Sequence, residues 1–218
     1  MITYPKIETL YVRDLVTYKV LVDELRVPEF RLVKEWYLTE KIDGTNVRVN
    51  LDRSGSVVFG GRTDEAQMHV SLMKYLSETF TQEKMQAAFG DREDADVTLF
   101  GEGYGPKVQK GGGLYRDTVS FRLFDVRVGQ LWLEPDNINA VATTLGVSSV
   151  TYVGTYANWL PRSIDDLKKV FRGTGTSYTA GEDGGIGLRA EGIVARTAPL
   201  LLDRRGNRVM WKLKFRDF

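Results

Sequence analysis

Cysteine is absent from the chain, and histidine occurs once, at His69. Without cysteine, the protein cannot form disulfides, use a thiolate as a catalyst or build a zinc site on cysteine ligands. A single histidine leaves a histidine-dependent acid–base scheme without a second partner, so we expect His69 to be structural or exposed. Any catalytic chemistry must therefore rest on other side chains.

Long apolar segments and an excess of one charge are also absent. No stretch approaches the roughly 18 apolar residues of a membrane helix, and the opening residues Met1–Lys6 lack the apolar core of a signal peptide. The formal net charge is only +1, although 27% of the residues are charged. We therefore expect a cytoplasmic protein that contacts no membrane and that binds nucleic acid, if at all, through a local basic patch.

The sequence does contain enough apolar residues for a core, at 42% of 218 residues, and this length suits one domain. Alternating or four-residue spacing of apolar positions predicts the secondary structure. The predicted strands are 47–51, 57–59, 97–100, 119–128 and 208–215; the predicted helices are 14–25, 64–80, 136–145 and 163–171; and 173–187 is a predicted loop. Because these elements follow no regular βαβ rhythm, we expect an α+β fold dominated by antiparallel sheet.

One lysine stands in a segment that suits covalent nucleotide chemistry. Residues 39–46 read Thr-Glu-Lys-Ile-Asp-Gly-Thr-Asn, so that Lys41 is followed by a short turn and then a strand. An unprotonated lysine amine presented in this way could attack the α-phosphorus of a nucleoside triphosphate. Taken alone, the segment fits a solvated hairpin with a surface lysine equally well.

Two further lysines lie near the C-terminal end of the sequence, in the predicted strand 208–215. The two-residue period of a strand places Lys212 and Lys214 together on one face and the apolar residues on the other. Two ammonium groups at this spacing repel each other unless an anion lies between them, and a triphosphate is such an anion. An ordinary half-exposed strand with both lysines in water remains the alternative.

Two carboxylates each precede or follow an apolar strand. Glu102 lies in Phe-Gly-Glu-Gly-Tyr-Gly, and Glu191 lies in Ala-Glu-Gly-Ile-Val-Ala-Arg. A carboxylate at a strand end suits a ribose hydroxyl or a divalent metal ion. Either glutamate alone is equally typical of a turn.

The order and the amino-acid sequences of these segments resemble the motifs of the covalent nucleotidyltransferase superfamily of ligases and capping enzymes. The resemblance is greatest to the RNA ligase 2-like branch of ATP-dependent RNA ligases. Matching blocks run in order along nearly the whole chain. These blocks are residues 40–46, 61–63, 100–102 with 105–106 and 109–110, 121–126, 190–194, and 207–209 running into 212–214. The resemblance implies an α+β nucleotidyltransferase fold, an ATP-grasp-like ligase core with antiparallel sheets flanked by helices.

The resemblance also implies a role for each matching residue. Lys41 would form the lysyl-AMP phosphoramidate, and Lys212 and Lys214 would hold the α-phosphate and offset charge in the transition state. The nucleotide-binding residues, each with its implied partner, are Glu40 for the adenine amino group, Asn46 and Arg62 for the phosphate or ribose and the 5′ end, Glu102 for the ribose hydroxyls, Phe124 for stacking on adenine, and Glu191 for positioning a metal ion.

The implied activity is ATP-dependent sealing of 5′-phosphate and 3′-hydroxyl ends, with nicked duplex RNA as the expected substrate and Mg²⁺ or Mn²⁺ as the metal. Such an enzyme would repair RNA as a monomer in a bacterial or phage-infected cell, with an RNA/DNA hybrid as a further implied substrate. We expect residues 1–218 to form a single adenylyltransferase domain without the second domain that family members usually carry. A DNA-nick ligase, a GTP-using guanylyltransferase and a non-catalytic nucleotide-binding module are the alternatives.

Overall fold

The structure is a computed structural model that describes residues 1–90 and 95–218. In these residues the strands are β1 (Tyr11–Arg13), β2 (Val20–Leu25), β3 (Glu35–Lys41), β4 (Thr45–Leu51), β5 (Val57–Gly60), β6 (Val97–Tyr104), β7 (Ser120–Val128), β8 (Leu131–Trp132), β9 (Ser148–Ser149), β10 (Tyr152–Ala157), β11 (Gly192–Arg196) and β12 (Met210–Lys214). The α-helices are α1 (Val70–Thr79), α2 (Gln82–Phe89), α3 (Pro135–Leu145), α4 (Ile164–Val170) and α5 (Tyr178–Glu182), and short 3₁₀ helices occur at Pro28–Leu32, Gly112–Leu114 and Phe215–Asp217.

The chain divides into two compact units, each built from two separate stretches of sequence. The first unit comprises Met1–Pro5 and Asp43–Val150, and the second comprises Lys6–Ile42 and Thr151–Phe218. Each unit has its own buried apolar cluster, so that each can be described by itself.

The first unit is a sheet with helices on one face. Its strand order is β5-β4-β6-β7-β8, all antiparallel, and β9 adds to β7 in parallel. Helices α1 and α3 contact β7, and α2 contacts β4. In β4 the buried residues Val47, Val49 and Leu51 point to the helices, and Arg48 lies on the opposite face of the sheet, as strand alternation requires.

The second unit contains the four-stranded antiparallel sheet β10-β3-β11-β12 and the hairpin β1-β2. Its core includes Trp36 and Leu38 of β3 together with Trp211 and Leu213 of β12. The rings of Trp36 and Trp211 meet edge to face, 5.5 Å apart. Tyr37 of β3 and Lys212 of β12 alternate with these core residues along their strands and therefore lie on the face turned away from this core.

The α+β fold dominated by antiparallel sheet is confirmed. The predicted strands 47–51, 57–59, 97–100, 119–128 and 208–215 and the predicted helices 136–145 and 163–171 all have counterparts, with ends that differ by a few residues. Strand β6 runs four residues further than predicted, through Gly101 and Gly103, so that Glu102 lies inside the strand and not beyond its end.

The helix predicted over residues 14–25 is wrong, since this segment forms a turn followed by β2. The Asp14 carboxylate accepts hydrogen bonds from the backbone N–H groups of Val16 and Thr17, at 3.0 and 2.6 Å. Tyr18 then adopts a positive φ of 59°, which reverses the chain into the β1-β2 hairpin. A local side-chain–backbone bond of this kind competes with helix formation.

Two other predicted boundaries need correction. The helix predicted over 64–80 begins only at Val70, because His69 has extended backbone angles and its side chain accepts the N–H of Ser71. His69 is therefore an exposed helix cap, as expected for a structural histidine. The predicted loop 173–187 contains α5, which starts where the Ser177 hydroxyl accepts the N–H of Ala180 at 3.0 Å.

None of the helices within residues 1–90 and 95–218 combines the length and hydrophobicity that a membrane crossing requires.

We predict that Leu38→Ala lowers the free energy of unfolding by about 2–5 kcal/mol, because it removes a fully buried side chain and leaves a cavity. Leu32→Ala is the matched control, since Leu32 is 75% exposed, and should cost less than about 0.5 kcal/mol. Denaturant unfolding measures both. Equal losses in the two variants would contradict the assignment of Leu38 to the core.

Candidate active site

Three neighbouring strands of the second unit bring the predicted nucleophile to its partners. Strand β11 pairs with β3 on one side and with β12 on the other, and Gly192 lies opposite both Lys41 and Lys214. Glu191 immediately precedes Gly192. The antiparallel register therefore places one carboxylate beside two lysines that are far apart in sequence.

The Glu191 carboxylate forms ion pairs with both lysines. Its Oε2 lies 2.8 Å from the Nζ of Lys41, and its Oε1 pairs with the Nζ of Lys214. The side chains of Lys41, Glu191 and Lys214 are 20%, 10% and 12% exposed, respectively. The cluster is therefore mostly buried, but solvent still reaches each of its three side chains. Two cations around one anion leave a net positive charge, and such a site attracts a phosphate group.

Gly192 lets the backbones of β11 and β12 approach closely enough for the ion pair between Glu191 and Lys214. A Cβ atom at this position would lie 2.2 Å from the carbonyl oxygen of Leu213 and 2.6 Å from the Cα of Lys214. Any other residue would push β12 away from β11 and separate Lys214 from Glu191. The glycine of the Glu-Gly-Ile-Val segment is thus required by close packing of backbones.

Lys212 lies on the same side of β12 as Lys214, as predicted from strand alternation, and is partly buried. Its backbone is held by the N-terminal part of the second unit. The Lys212 N–H donates to the carbonyl of Glu8 at 3.0 Å, and the Leu10 N–H donates to the carbonyl of Lys212 at 3.1 Å.

The end of this strand has a further anchor that the sequence analysis missed. The fully buried Asp217 accepts hydrogen bonds from the N–H of Lys214 at 2.9 Å and from the Arg13 guanidinium at 2.6 Å. These contacts fix the backbone on which the two lysines are mounted.

Glu40 precedes Lys41 in β3 but points to the opposite face of the strand. It is 1% exposed. Its carboxylate oxygens accept hydrogen bonds from the Ser177 hydroxyl at 2.5 Å and from the Thr179 N–H at 2.9 Å. Burial raises the pKa of Glu40, and the bonds from Ser177 and Thr179 oppose that rise.

In the first unit, Asn46 of β4 lies directly opposite Glu102 of β6, so the two side chains share one face of the sheet. One Glu102 oxygen accepts the N–H of Gly44 at 3.2 Å. Among the described residues, Oδ1 of Asn46 is buried without a hydrogen-bond partner. A buried acceptor left open in this way fits a site that receives a donor from a ligand.

Phe124 is the extra residue of a β-bulge in β7, because Leu123 pairs with Gly101 and Asp125 with Phe100. Bulges of this kind turn a side chain out of the regular alternation. The ring of Tyr4 meets Phe124 edge-on at 5.0 Å, and the Tyr4 hydroxyl donates to Asp125 at 2.7 Å. The half-buried Phe124 is thus held from one side by the N-terminal segment of this unit.

Arg62 is exposed, and its segment is held by Arg48, which the sequence analysis did not select. Arg48 is fully buried, and its guanidinium binds the carbonyl of Gly61 and the carboxylate of Asp64, the latter at 2.8 Å. Its place in β4, two residues after Asn46 on the same face, was the available signal.

The structure therefore brings Lys41, Glu191 and Lys214 into direct contact and places Lys212 on their strand. It pairs Asn46 with Glu102 in the first unit, puts Phe124 in a bulge and leaves Arg62 exposed. The roles that the resemblance implies for these residues stay predictions.

The profile of the RNA ligase family matches residues 34–214, which is most of the chain and includes every candidate residue. The chain belongs to the RNA ligase family. No curated protein sequence matches it significantly.

Solved structures of RNA ligases share the fold at low sequence identity. An archaeal ATP-dependent RNA ligase is 20% identical, with a TM-score of 0.60 over 97% of this chain and 48% of its own. A variant of the Naegleria gruberi RNA ligase with ATP and Mn is 16% identical, with a TM-score of 0.62 over 98% of this chain and 56% of its own. The chain thus spans about half the length of these ligases.

We predict that the stability of the wild type relative to Glu40→Gln falls as the pH rises. A raised folded-state pKa means that the folded protein binds this proton more tightly than the unfolded chain, whose carboxyl titrates near 4.5. The contribution of this proton to the free energy of unfolding is complete below pH 4.5. It is lost as the pH rises through the folded-state pKa, with a slope of at most about 1.4 kcal/mol per pH unit.

Denaturant unfolding of both proteins at a series of pH values measures this difference. The contributions of titrating groups that both proteins contain cancel in the difference. Because glutamine does not ionise, the remaining pH dependence reports Glu40. A difference that grows with pH would contradict the effect of burial on Glu40.

Proposed function

We propose that this protein joins RNA ends in an ATP-dependent reaction that begins with transfer of AMP to Lys41. The observation that carries the proposal is the contact of Lys41 and Lys214 with Glu191 in a chain that belongs to the RNA ligase family. A lysine nucleophile beside a second cation and a carboxylate is an arrangement that suits amine attack on a phosphate.

In the first step, Nζ of Lys41 attacks the α-phosphorus of ATP. An N–P bond forms, the bond from the α-phosphorus to the bridging oxygen breaks, and pyrophosphate leaves. The amine must lose a proton to attack, and the Glu191 oxygen 2.8 Å from Nζ is an acceptor within reach. The product is a lysyl-AMP phosphoramidate.

Lys214 and Lys212 are proposed to hold the α-phosphate in this step. Negative charge builds up on the phosphate oxygens as pyrophosphate departs, and fixed cations stabilise that charge without reorganisation. The strand that carries both lysines is anchored by Glu8, Leu10 and Asp217, so that their positions are set before ATP binds.

The remaining nucleotide contacts follow the resemblance. We assign the ribose hydroxyls to Glu102, adenine stacking to Phe124, and the phosphate or ribose and the 5′ end of RNA to Asn46 and Arg62. The open acceptor on Asn46, to which a ribose hydroxyl could donate, and the bulge that turns Phe124 out support this assignment.

A divalent ion, Mg²⁺ or Mn²⁺, is proposed to accompany the nucleotide. Residues 1–90 and 95–218 contain no cluster of three or more acidic or histidine side chains that could bind an ion alone. Glu191 would therefore hold the ion together with phosphate oxygens, which are ligands that such ions prefer. The ion would neutralise phosphate charge in the transition state.

Two further transfers complete the proposed reaction. The 5′-phosphate of an RNA end attacks the lysyl-AMP and takes the AMP, which releases Lys41. A 3′-hydroxyl then attacks the activated 5′-phosphate, and AMP leaves as the phosphodiester forms. We propose nicked duplex RNA as the substrate, joined by the protein as a monomer.

We predict that the wild type becomes covalently labelled by α-labelled ATP in the presence of Mg²⁺, and that Lys41→Ala is not labelled, because the attacking amine is gone. Denaturing electrophoresis measures the label. Lys74→Ala is the control, since Lys74 is an exposed lysine on α1, and it should be labelled like the wild type.

Labelling by GTP alone would redirect the proposal to capping chemistry. A folded wild type, purified without bound AMP, that takes label from neither nucleotide would leave a non-catalytic nucleotide-binding module as the better account. If ATP does label the protein, joining of nicked RNA and not of nicked DNA tests the proposed substrate.

We predict that Lys214→Ala lowers the rate of lysyl-AMP formation about 100- to 1000-fold at saturating ATP, because it removes a charge that stabilises the transition state. Lys214→Arg, which keeps the charge, should lose less. Single-turnover labelling measures the rate, with Lys169→Ala on the exposed face of α4 as the control. An unchanged rate in Lys214→Ala would remove this residue from the mechanism.

A further inference from the structure

Arg48 lies on the face of β4 that also carries Asn46, two residues earlier in the strand. Its side chain is fully buried. The residue opposite Arg48 on β5 is Gly60, and a Cβ atom there would lie 3.0 Å from a terminal guanidinium nitrogen of Arg48. Because Gly60 has no side chain, the guanidinium can pass over the end of β5 and reach the segment 61–64.

The Arg48 guanidinium binds this segment on both sides of Arg62. Its Nε donates to the carbonyl of Gly61 at 2.5 Å, and a terminal nitrogen donates to the Asp64 carboxylate at 2.8 Å. The other terminal nitrogen donates to the carbonyls of residues 1 and 2, both at 3.3 Å. All three nitrogens are thus engaged within the first unit, and the buried side chain offers no surface to a substrate.

The same segment also packs against the turn that follows it. The N–H of Ala66 donates to the carbonyl of Thr63 at 3.2 Å. A Cβ atom at Gly61 would lie 2.8 Å from the Cβ of Ala66, so the turn folds back closely over Gly61. The backbone around Arg62 is therefore held from two directions, whereas the Arg62 side chain is exposed and can reach a ligand.

From these contacts we propose that Arg48 is a positioning residue, which fixes Arg62 relative to Asn46 and so prepares the site for the phosphate or ribose and the 5′ end of RNA. The inference rests on the proposed function, because it takes over the contacts assigned there to Arg62 and Asn46. Lysine is a poor substitute at this position, since a single ammonium group lacks the planar fork that binds Gly61 and Asp64 at once.

The test is a double-mutant cycle between Arg48→Lys and Arg62→Ala. Single-turnover kinetics at saturating substrate follow lysyl-AMP formation from ATP and transfer of AMP to a 5′-phosphate RNA end. In each step that Arg62→Ala slows, Arg48→Lys should also slow the rate about ten- to a hundredfold, because a misplaced contact loses most of its effect. The double variant should be no slower than Arg62→Ala alone. Arg53→Lys, the same change at an exposed arginine between β4 and β5, is the matched control and should behave as the wild type.

Losses that multiply in the double variant would overturn the inference, because they would show that Arg48 acts independently of Arg62. Unchanged rates in Arg48→Lys, or in Arg62→Ala, would overturn it as well. If Arg48→Lys does not fold, Asp64→Ala takes its place in the cycle with the same expected coupling, since Asp64 is 70% exposed and its loss removes one of the contacts. Failure of the wild type to label with ATP would instead refute the proposed function, so the two failures are distinguishable.

Discussion

Two lysines converge on one carboxylate, and the pairing of three strands of the second unit produces that contact. Glu191 reaches both Lys41 and Lys214 because β11 lies between β3 and β12 in an antiparallel sheet. The register places Gly192 opposite both lysines, and only glycine lets the backbones approach so closely. The contact therefore depends on strand pairing over large sequence separations and not on any local motif.

The core explains why this contact is held in place. Trp36, Leu38, Trp211 and Leu213 fill the side of the sheet away from the lysines, and their alternation along β3 and β12 forces the charged residues to the other side. Buried polar groups complete the support, with Asp217 holding the end of β12 and Glu40 holding the end of β3. A rigid apolar layer thus carries a positively charged face suited to a phosphate.

Much of this arrangement could be predicted from the sequence, because alternation is a local property. The period of two in 208–215 correctly separated Lys212 and Lys214 from the apolar residues, and the same rule gave β4 and its two faces. The resemblance to ATP-dependent RNA ligases identified the family, although composition and spacing alone left surface lysines and turn glutamates as alternatives.

Other features depend on contacts that no local pattern encodes. The turn after β1 replaces a predicted helix because Asp14 captures two backbone N–H groups, and α5 forms within a glycine-rich segment because Ser177 caps it. The burial of Glu40 and Arg48 could not be read from their charges, since each is satisfied by partners distant in sequence. The bulge at Phe124 likewise appears only when β6 and β7 are paired.

The proposed reaction depends on Lys41 as the covalent carrier of AMP. Its most direct test is mass spectrometry of the intact protein and of its peptides after incubation with ATP and Mg²⁺. We expect a mass increase of one AMP moiety that maps to Lys41 and is removed by acid, as a phosphoramidate requires. An AMP adduct on a different residue, or a folded protein that acquires none, would contradict it.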